Sequence, residues 1–396
     1  MASLSKVTGL FRFSSSSSRF ARPLQQAAVF VRCQQSTACP QVPVPEVYTT
    51  VPPQPREKKP GQLERWQVEQ YFDKGFLVVP NFFKKSELEP VIKAVEECVD
   101  ILANKLYKGG KITNKHENAG FYERLTLIEN QFKGSTVILH KMGYLPKAFR
   151  DLWSGDRLLN VVEQFIGPNI SGHPVWNLRT KTPQNEQTTV PWHQDNAYLD
   201  QDALGTLMPT AWIPLLDANT LNGCMQMIPE GHKVGTTLTH TCCAGDTWYV
   251  DLPESEIEKA YNINVRKAAV NCEVPFGGLV FLNNCIPHRS LENFSDKVRW
   301  SLDLRWQDPS KPVGFHGLKD ALPMRKEGQP DYNINWEDFA AIDRNKLQAE
   351  DVGYNDANEF DTTIHGPWML RWENTHPNRH TASLKTDASS WHSHKA

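Results

Sequence analysis

The sequence predicts an α+β fold in which helices cover one face of a β-sandwich or barrel, because helical patterns come first and a run of short strands follows. The folded part begins near Leu63, where a proline-rich stretch ends. Ser86-x-x-Glu89 has the form of a capping box, and Leu88, Ile92, Val95, Val99 and Leu102 continue it as an apolar stripe at helical spacing. A further helix is expected over residues 145–165, stopped by Gly167-Pro168. Strands are expected near 173–181, 189–199, 209–216, 223–229, 268–274, 278–283 and 297–306. Asn222-Gly223 lies between two of them and marks a tight hairpin.

The chain has 396 residues, 39% hydrophobic and 22% charged, which suits one large domain with extensions. A formal net charge of −2, with no basic stripe interleaved with aromatics, gives nucleic-acid binding little electrostatic support. No window approaches the roughly 18 to 20 continuous apolar residues of a membrane span. The eight cysteines show no metal-finger spacing, and Cys242-Cys243 is a vicinal pair, so free thiols in a reducing compartment are expected.

Residues 1–33 hold Lys6, Arg12, Arg19, Arg22 and Arg32, a serine run at 14–18 and no acid, the composition of a mitochondrial transit peptide. The alternative is an N-terminus without address on a cytoplasmic protein. Residues 34–61 read as a proline-rich linker, 62–310 as the main domain, and 311–375 as an extension whose aromatics pack back onto the core. Residues 376–396 are polar and read as a disordered tail. Nothing in the sequence sets an oligomeric state.

The chemistry is carried by Pro191-Trp192-His193-Gln194-Asp195 and, far downstream, Pro287-His288. His-x-Asp with a distant His is the sequence form of a facial triad, three ligands on one face of an octahedral iron(II) with three positions left open. Ligands one residue apart share one side of a strand, and the third can come from a strand adjacent only in a closed β-fold. Downstream of His288, Arg299, Ser301, Asp303 and Arg305 alternate with Val298, Trp300, Leu302, Leu304 and Trp306, which puts Arg299 on a polar strand face. A guanidinium in a barrel interior needs an anion, and it binds a carboxylate bidentately, so Arg299 suits a dicarboxylate whose other end chelates the metal.

With these residues in place the chain resembles the phytanoyl-CoA dioxygenase family of iron(II)- and 2-oxoglutarate-dependent oxygenases. In that family an Arg follows the second His by eleven residues, the interval from His288 to Arg299, and a Ser stands two residues after the His, as Ser290 does. The resemblance extends over about residues 63–307: the segment 69–83, a helix ending at glycine and feeding a strand, and the segments 211–215 and 222–232 also match. It implies a double-stranded β-helix (jelly-roll, cupin-like) core with packed N-terminal helices. It further implies iron held by His193, Asp195 and His288, with 2-oxoglutarate contacted by Arg299, Ser290 and Trp212. The implied reaction converts 2-oxoglutarate and O2 to succinate and CO2 while an unactivated C–H bond of a small organic substrate is hydroxylated. Asp195 matters here, because halogenating relatives have a small residue at that position to admit a halide.

Each role has a plainer alternative. Trp212 needs no ligand to be buried on a strand. Arg179 and Lys181, on the strand before the metal strand, could meet co-substrate or an anionic substrate, or form a solvated strand edge. Gln194 and Asn196 should point away from the metal on a regular strand, while Trp192, Asn196 and Tyr198 are candidates for the pocket mouth. His232 follows a Pro-Glu-Gly turn and reads as structural, and His140, His173, His240 and His316 lack partner spacing. The alternative functions are a non-catalytic metal or metabolite binder of the same fold and a zinc hydrolase, in which the Arg299 anchor would have no purpose.

Overall fold

The computed structural model describes residues 45–355 and 358–384. The expected leader, the start of the linker and the end of the tail lie outside the described residues. Helix α1 (Arg65–Lys74) ends at Gly75, whose φ of 82° is the left-handed cap that glycine adopts without strain. There the chain turns directly into β1 (Phe76–Val79). Helix α2 (Lys85–Lys108) buries Leu88, Val95, Val99 and Leu102, four of the five stripe positions. Its cap differs from the expected one: the helix starts earlier, and the Lys84 N–H donates to the Glu87 carboxylate at 2.7 Å, so Glu87 does the work expected of Glu89.

The single helix expected over 145–165 is two, α5 (Lys147–Trp153) and α6 (Asp156–Ile166), because the chain leaves helical geometry at Ser154 and Gly155. Between α2 and α5 lie α3 (Arg124–Gln131) and α4 (Ser135–Lys141), in a segment that showed no helical pattern. They meet at a turn where the buried Glu129 carboxylate accepts from the N–H groups of Gly134 and Thr136, at 2.7 and 2.9 Å.

The strands are β2 (Ile170–Gly172), β3 (Asn177–Lys181), β4 (Thr210–Pro214), β5 (Met225–Met227), β6 (Thr241–Cys242), β7 (Val250–Asp251), β8 (Val270–Cys272), β9 (Leu279–Leu282), β10 (His288–Ser290), β11 (Arg299–Gln307) and β12 (Leu322–Arg325). The large sheet runs β1-β9-β4-β11-β2-β12, with β3 also on β11, and the small one runs β10-β5-β8. All of these pairings are antiparallel. Phe76, Trp212, Val280 and Leu282 of the large sheet share one apolar cluster with Met225, Met227 and Cys272 of the small sheet, so the two sheets face each other as a jelly-roll. The helices α1, α2, α5 and α6 cover the other side of the large sheet, in a cluster with Phe281, Trp300, Leu302, Leu304 and Trp306. The fold class is therefore α+β as expected.

Between β7 and β8 lie α7 (Glu254–Tyr261) and α8 (Val265–Ala268); after β12 come α9 (Trp336–Ala341), α10 (Arg344–Asp351), α11 (Trp368–Arg371) and β13 (Glu373–Asn374), which pairs with β6. No helix among the described residues is long and apolar enough to cross a membrane.

Further expectations need correction. Asn222-Gly223 does not close a hairpin, since β4 and β5 lie in different sheets and do not pair. Residues 189–199 are not a continuous strand: His193 bridges to β10, but Asp195–Tyr198 is a 3-10 turn, closed by the Ala197 N–H on the Gln194 carbonyl, and no strand ladder continues through it. The described part of the linker is packed, since Tyr48 is fully buried and its hydroxyl donates to the Leu204 carbonyl. The described start of the tail is packed too, with His380 and Leu384 buried. Cys242 and Cys243 are joined by a disulfide, whereas Cys98, Cys224, Cys272 and Cys285 are free thiols.

His232 has the structural role its turn suggested: Nε2 donates to the Phe72 carbonyl at 2.8 Å, and the ring fills the space beside Gly75. A Cβ at Gly75 would overlap that ring in a left-handed backbone conformation. Gly75→Ala is therefore expected to cost about 1–3 kcal/mol of stability by urea unfolding, whereas Lys74→Ala, at a half-buried position whose ion pairs lie at the surface, should change it by less than about 1 kcal/mol.

Candidate metal centre and co-substrate cleft

His193 and His288 face each other as a hydrogen-bonded antiparallel pair, each N–H donating to the other's carbonyl at 2.9 Å. Such a pair puts both side chains on one face, and the ring centroids are 4.1 Å apart. Each Nδ1 lies 2.9 Å from a carbonyl oxygen, of Pro191 and Ile286 respectively. A carbonyl only accepts, so the proton sits on Nδ1 and the Nε2 lone pair is directed into the site. Burial pushes the His288 pKa down to about 3, so the ring is neutral.

Asp195 completes the group from the first position of the 3-10 turn rather than from a regular strand. Its Oδ1 is 3.6 Å from His193 Nε2 and 3.8 Å from His288 Nε2, and the three ligand atoms lie within 4.8 Å of one another. Its Oδ2 accepts from Arg305 Nε at 3.1 Å and Nη2 at 2.9 Å. Burial alone would raise this carboxyl's pKa, but the charge of the Arg305 guanidinium is the largest opposing effect, and the group is held well below the usual carboxylate range. Two imidazole Nε2 atoms and one carboxylate oxygen on one side of an open space fit a divalent iron with free coordination positions.

Arg299 is 2% exposed. Its Nη1 donates to Ser301 Oγ at 2.6 Å, the guanidinium lies 5.2 Å from the Trp212 ring centroid, and Nε has no partner among the described residues. Burial pushes its pKa down to about 10, which leaves it charged at neutral pH. A buried cation without a carboxylate is costly, and an anion in the cleft would relieve it. His193, His288, Ser290, Arg299 and Trp212 all line one cleft of about 720 Å³. Ser290 Oγ accepts from the Val190 N–H at 3.1 Å, which leaves its own hydroxyl proton free to donate. Asp195 lines an adjoining cavity of about 790 Å³.

Arg179 and Lys181 are not a solvated edge. Arg179 pairs with Asp303 at 2.7 Å, and Lys181, fully enclosed opposite Arg299, contacts Thr189 Oγ1 at 3.1 Å. Gln194 and Asn196 do turn away from the metal side: Gln194 Nε2 donates to the Thr236 and Cys285 carbonyls, and Asn196 Nδ2 donates to Tyr48 and Cys285. Of the three mouth candidates Tyr198 lines the cavity beside Asp195, whereas Trp192 packs with Ile228, Leu252 and Ile257. His173, His240 and His316 are held by backbone or carboxylate partners. His140 lines both cavities, and burial beside Arg344 and Arg179 pushes it down to about 3. Trp248, Tyr249, Arg305 and Arg344 also line these cavities and were not assigned from sequence. For Arg305 a signal existed, its place on the polar face of the strand that carries Arg299.

The family model described as phytanoyl-CoA dioxygenase (PhyH) matches residues 71–301, more than half of the chain. The chain belongs to the phytanoyl-CoA dioxygenase family. It is 24% identical to a phytanoyl-CoA dioxygenase of Arabidopsis thaliana, over 62% of this chain and 88% of that one. It is 23% identical to phytanoyl-CoA dioxygenase domain-containing protein 1 of Bos taurus, over 65% of this chain and 98% of that one. Among solved structures, the non-heme monooxygenase ThoJ in its apo form aligns with a TM-score of 0.46 at 19% identity, covering 70% of this chain and 96% of that chain. A dioxygenase-type activity follows from the family.

Arg305→Ala should leave Asp195 buried beside the imidazoles without its counter-charge. The expected outcome is a loss of about 3–5 kcal/mol in unfolding free energy and, in protein that still folds, about 10- to 100-fold weaker binding of iron(II) or cobalt(II) by anaerobic titration.

Proposed function

We propose that this protein is an iron(II)- and 2-oxoglutarate-dependent dioxygenase that hydroxylates an unactivated C–H bond of a small organic substrate. The observation that carries the reading is the guanidinium of Arg299, bonded to a neutral hydroxyl and with Nε unbonded among the described residues, in the same cleft as the two directed Nε2 atoms. A metal-only binding module has no use for a second, anion-seeking anchor there. His193, Asp195 and His288 would hold the metal, and Arg299 would hold the distal carboxylate of 2-oxoglutarate, with the Ser290 hydroxyl donating beside it and Trp212 closing over the guanidinium. When bound, iron(II) and 2-oxoglutarate supply oxygen activation coupled to decarboxylation, giving succinate and CO2.

The chain's own part is geometric and electrostatic. The carbonyls of Pro191 and Ile286 fix the tautomer of both histidines, Arg305 keeps Asp195 ionised with one oxygen free, and Trp248 and Tyr249 wall the cleft against water.

Purified protein with iron(II), 2-oxoglutarate and oxygen should form succinate, and anaerobically it should show the visible charge-transfer absorbance of an iron-bound 2-oxo acid. His193→Ala should abolish both. Arg299→Gln should raise the KM for 2-oxoglutarate about 10- to 100-fold, the loss of a charge-assisted hydrogen-bond pair. Iron-replete wild-type protein with neither absorbance nor decarboxylation would sink the reading.

A further inference from the structure

The cavity that adjoins the metal centre through Asp195 is roofed by the C-terminal extension, with Arg344, Asn345 and Gln348 of α10 and, further on, Ile364 and Trp368. Its charges are unevenly matched. Arg305 is paired with Asp195 at 2.9 Å and Arg179 with Asp303 at 2.7 Å. Arg344, 9% exposed, bonds among the described residues only to neutral oxygens, Nη1 to the Pro174 carbonyl at 3.0 Å and Nη2 to Asn177 Oδ1 at 2.9 Å, and lies 5.6 Å from the Trp176 ring centroid. A guanidinium carries five N–H donors, so three remain. Asn177 turns its carbonyl to Arg344, which leaves its amide NH2 free to donate to the same acceptor. Val175, Met208, Phe315, Ile364 and Trp368 make the rest of the wall largely apolar.

We infer that Arg344 and Asn177 anchor the carboxylate of a monoanionic, apolar-bodied primary substrate, a free acid rather than a CoA thioester. One unmatched cation calls for one negative charge, and the apolar wall calls for a hydrocarbon or aromatic body. Burial, together with the neighbouring Arg305 and Arg179, pushes the Arg344 pKa down to about 9, and an anion there would remove that cost. The orientation of the acid towards Asp195 rests on the oxygenase reading, whereas its binding does not. Arg344 thereby becomes a specificity-determining residue supplied from outside the segment that the family model matches.

The test uses full-length protein with iron(II) and saturating 2-oxoglutarate under anaerobic conditions, titrated calorimetrically with octanoate, octanamide, 4-phenylbutyrate, 4-phenylbutanamide and octyl phosphate. The acids should bind and their amides should not. Arg344→Gln should raise the Kd of the acids by about tenfold or more while keeping the charge-transfer absorbance of wild type. Asn177→Asp, which fills the site with its own carboxylate and guards against misfolding of the first variant, should do the same. In Arg299→Gln the acids should still bind, which separates this anchor from the co-substrate's. Equal binding of acids and amides, wild-type affinity in Arg344→Gln, or binding of octyl phosphate alone would overturn the inference. Absence of the absorbance in wild type with acid binding intact would overturn the oxygenase reading and leave the acid site standing.

Discussion

Asp195 is a buried carboxylate divided between two tasks, and the ion pair with Arg305 makes the division workable. One oxygen faces the imidazoles of His193 and His288, and the other is gripped by Nε and Nη2 of Arg305. Without the guanidinium, desolvation would favour the protonated acid, a poorer ligand for a cation. The pair also constrains the fold. Arg305 reaches Asp195 only because β11 lies between β4 and β3 with its polar face turned inward, and the same placement carries Arg299 into the cleft six residues earlier along that face. Metal side and anchor side are thus set by the registration of one strand.

That strand explains why so much of the site could be read from sequence. The alternation of Arg299, Ser301, Asp303 and Arg305 with apolar residues is a local property with period two, and the structure keeps it, with β11 buried along its whole length. The two histidines were legible for the same reason, since a bridge between facing strands brings them together. Asp195 was legible as a residue but not as a geometry, because the turn at Asp195–Tyr198 depends on bonds from Gln194 and Asn196 to residues far along the chain. The split at Ser154-Gly155 and the shift of the cap from Glu89 to Glu87 are differences of one turn, which helical periodicity does not resolve. Arg344 was illegible, because its partners Pro174 and Asn177 are neutral and distant in sequence, and no spacing encodes such a contact.

The barrel interior concentrates cations. The guanidiniums of Arg179, Arg299, Arg305 and Arg344 gather around two acids, Asp195 and Asp303, and those acids are engaged by Arg305 and Arg179. Two guanidiniums are left over, and they lie in different cavities, Arg299 in the cleft with His193 and His288, and Arg344 in the cavity roofed by α10. On the proposed reading these two cations would receive two anions, the co-substrate in the cleft and the primary substrate in the adjoining cavity.

The contrast between Lys181 and Arg299 shows why arginine holds these positions. The two residues sit opposite each other on β3 and β11, both enclosed. Burial, and then the charges of Arg299 and Arg179, hold the Lys181 amine well below its usual pKa, so it gives up its proton more readily than a solvated lysine, with Nζ 3.1 Å from Thr189 Oγ1. Arginine has no such escape near neutral pH, because its guanidinium starts too high for burial to discharge it. A lysine at 299 or 344 would lower the cost of burial by losing its charge, and with the charge would go the attraction for a carboxylate. Arginine keeps the cost until an anion arrives, so the folded protein stores in these two side chains a preference for negatively charged ligands.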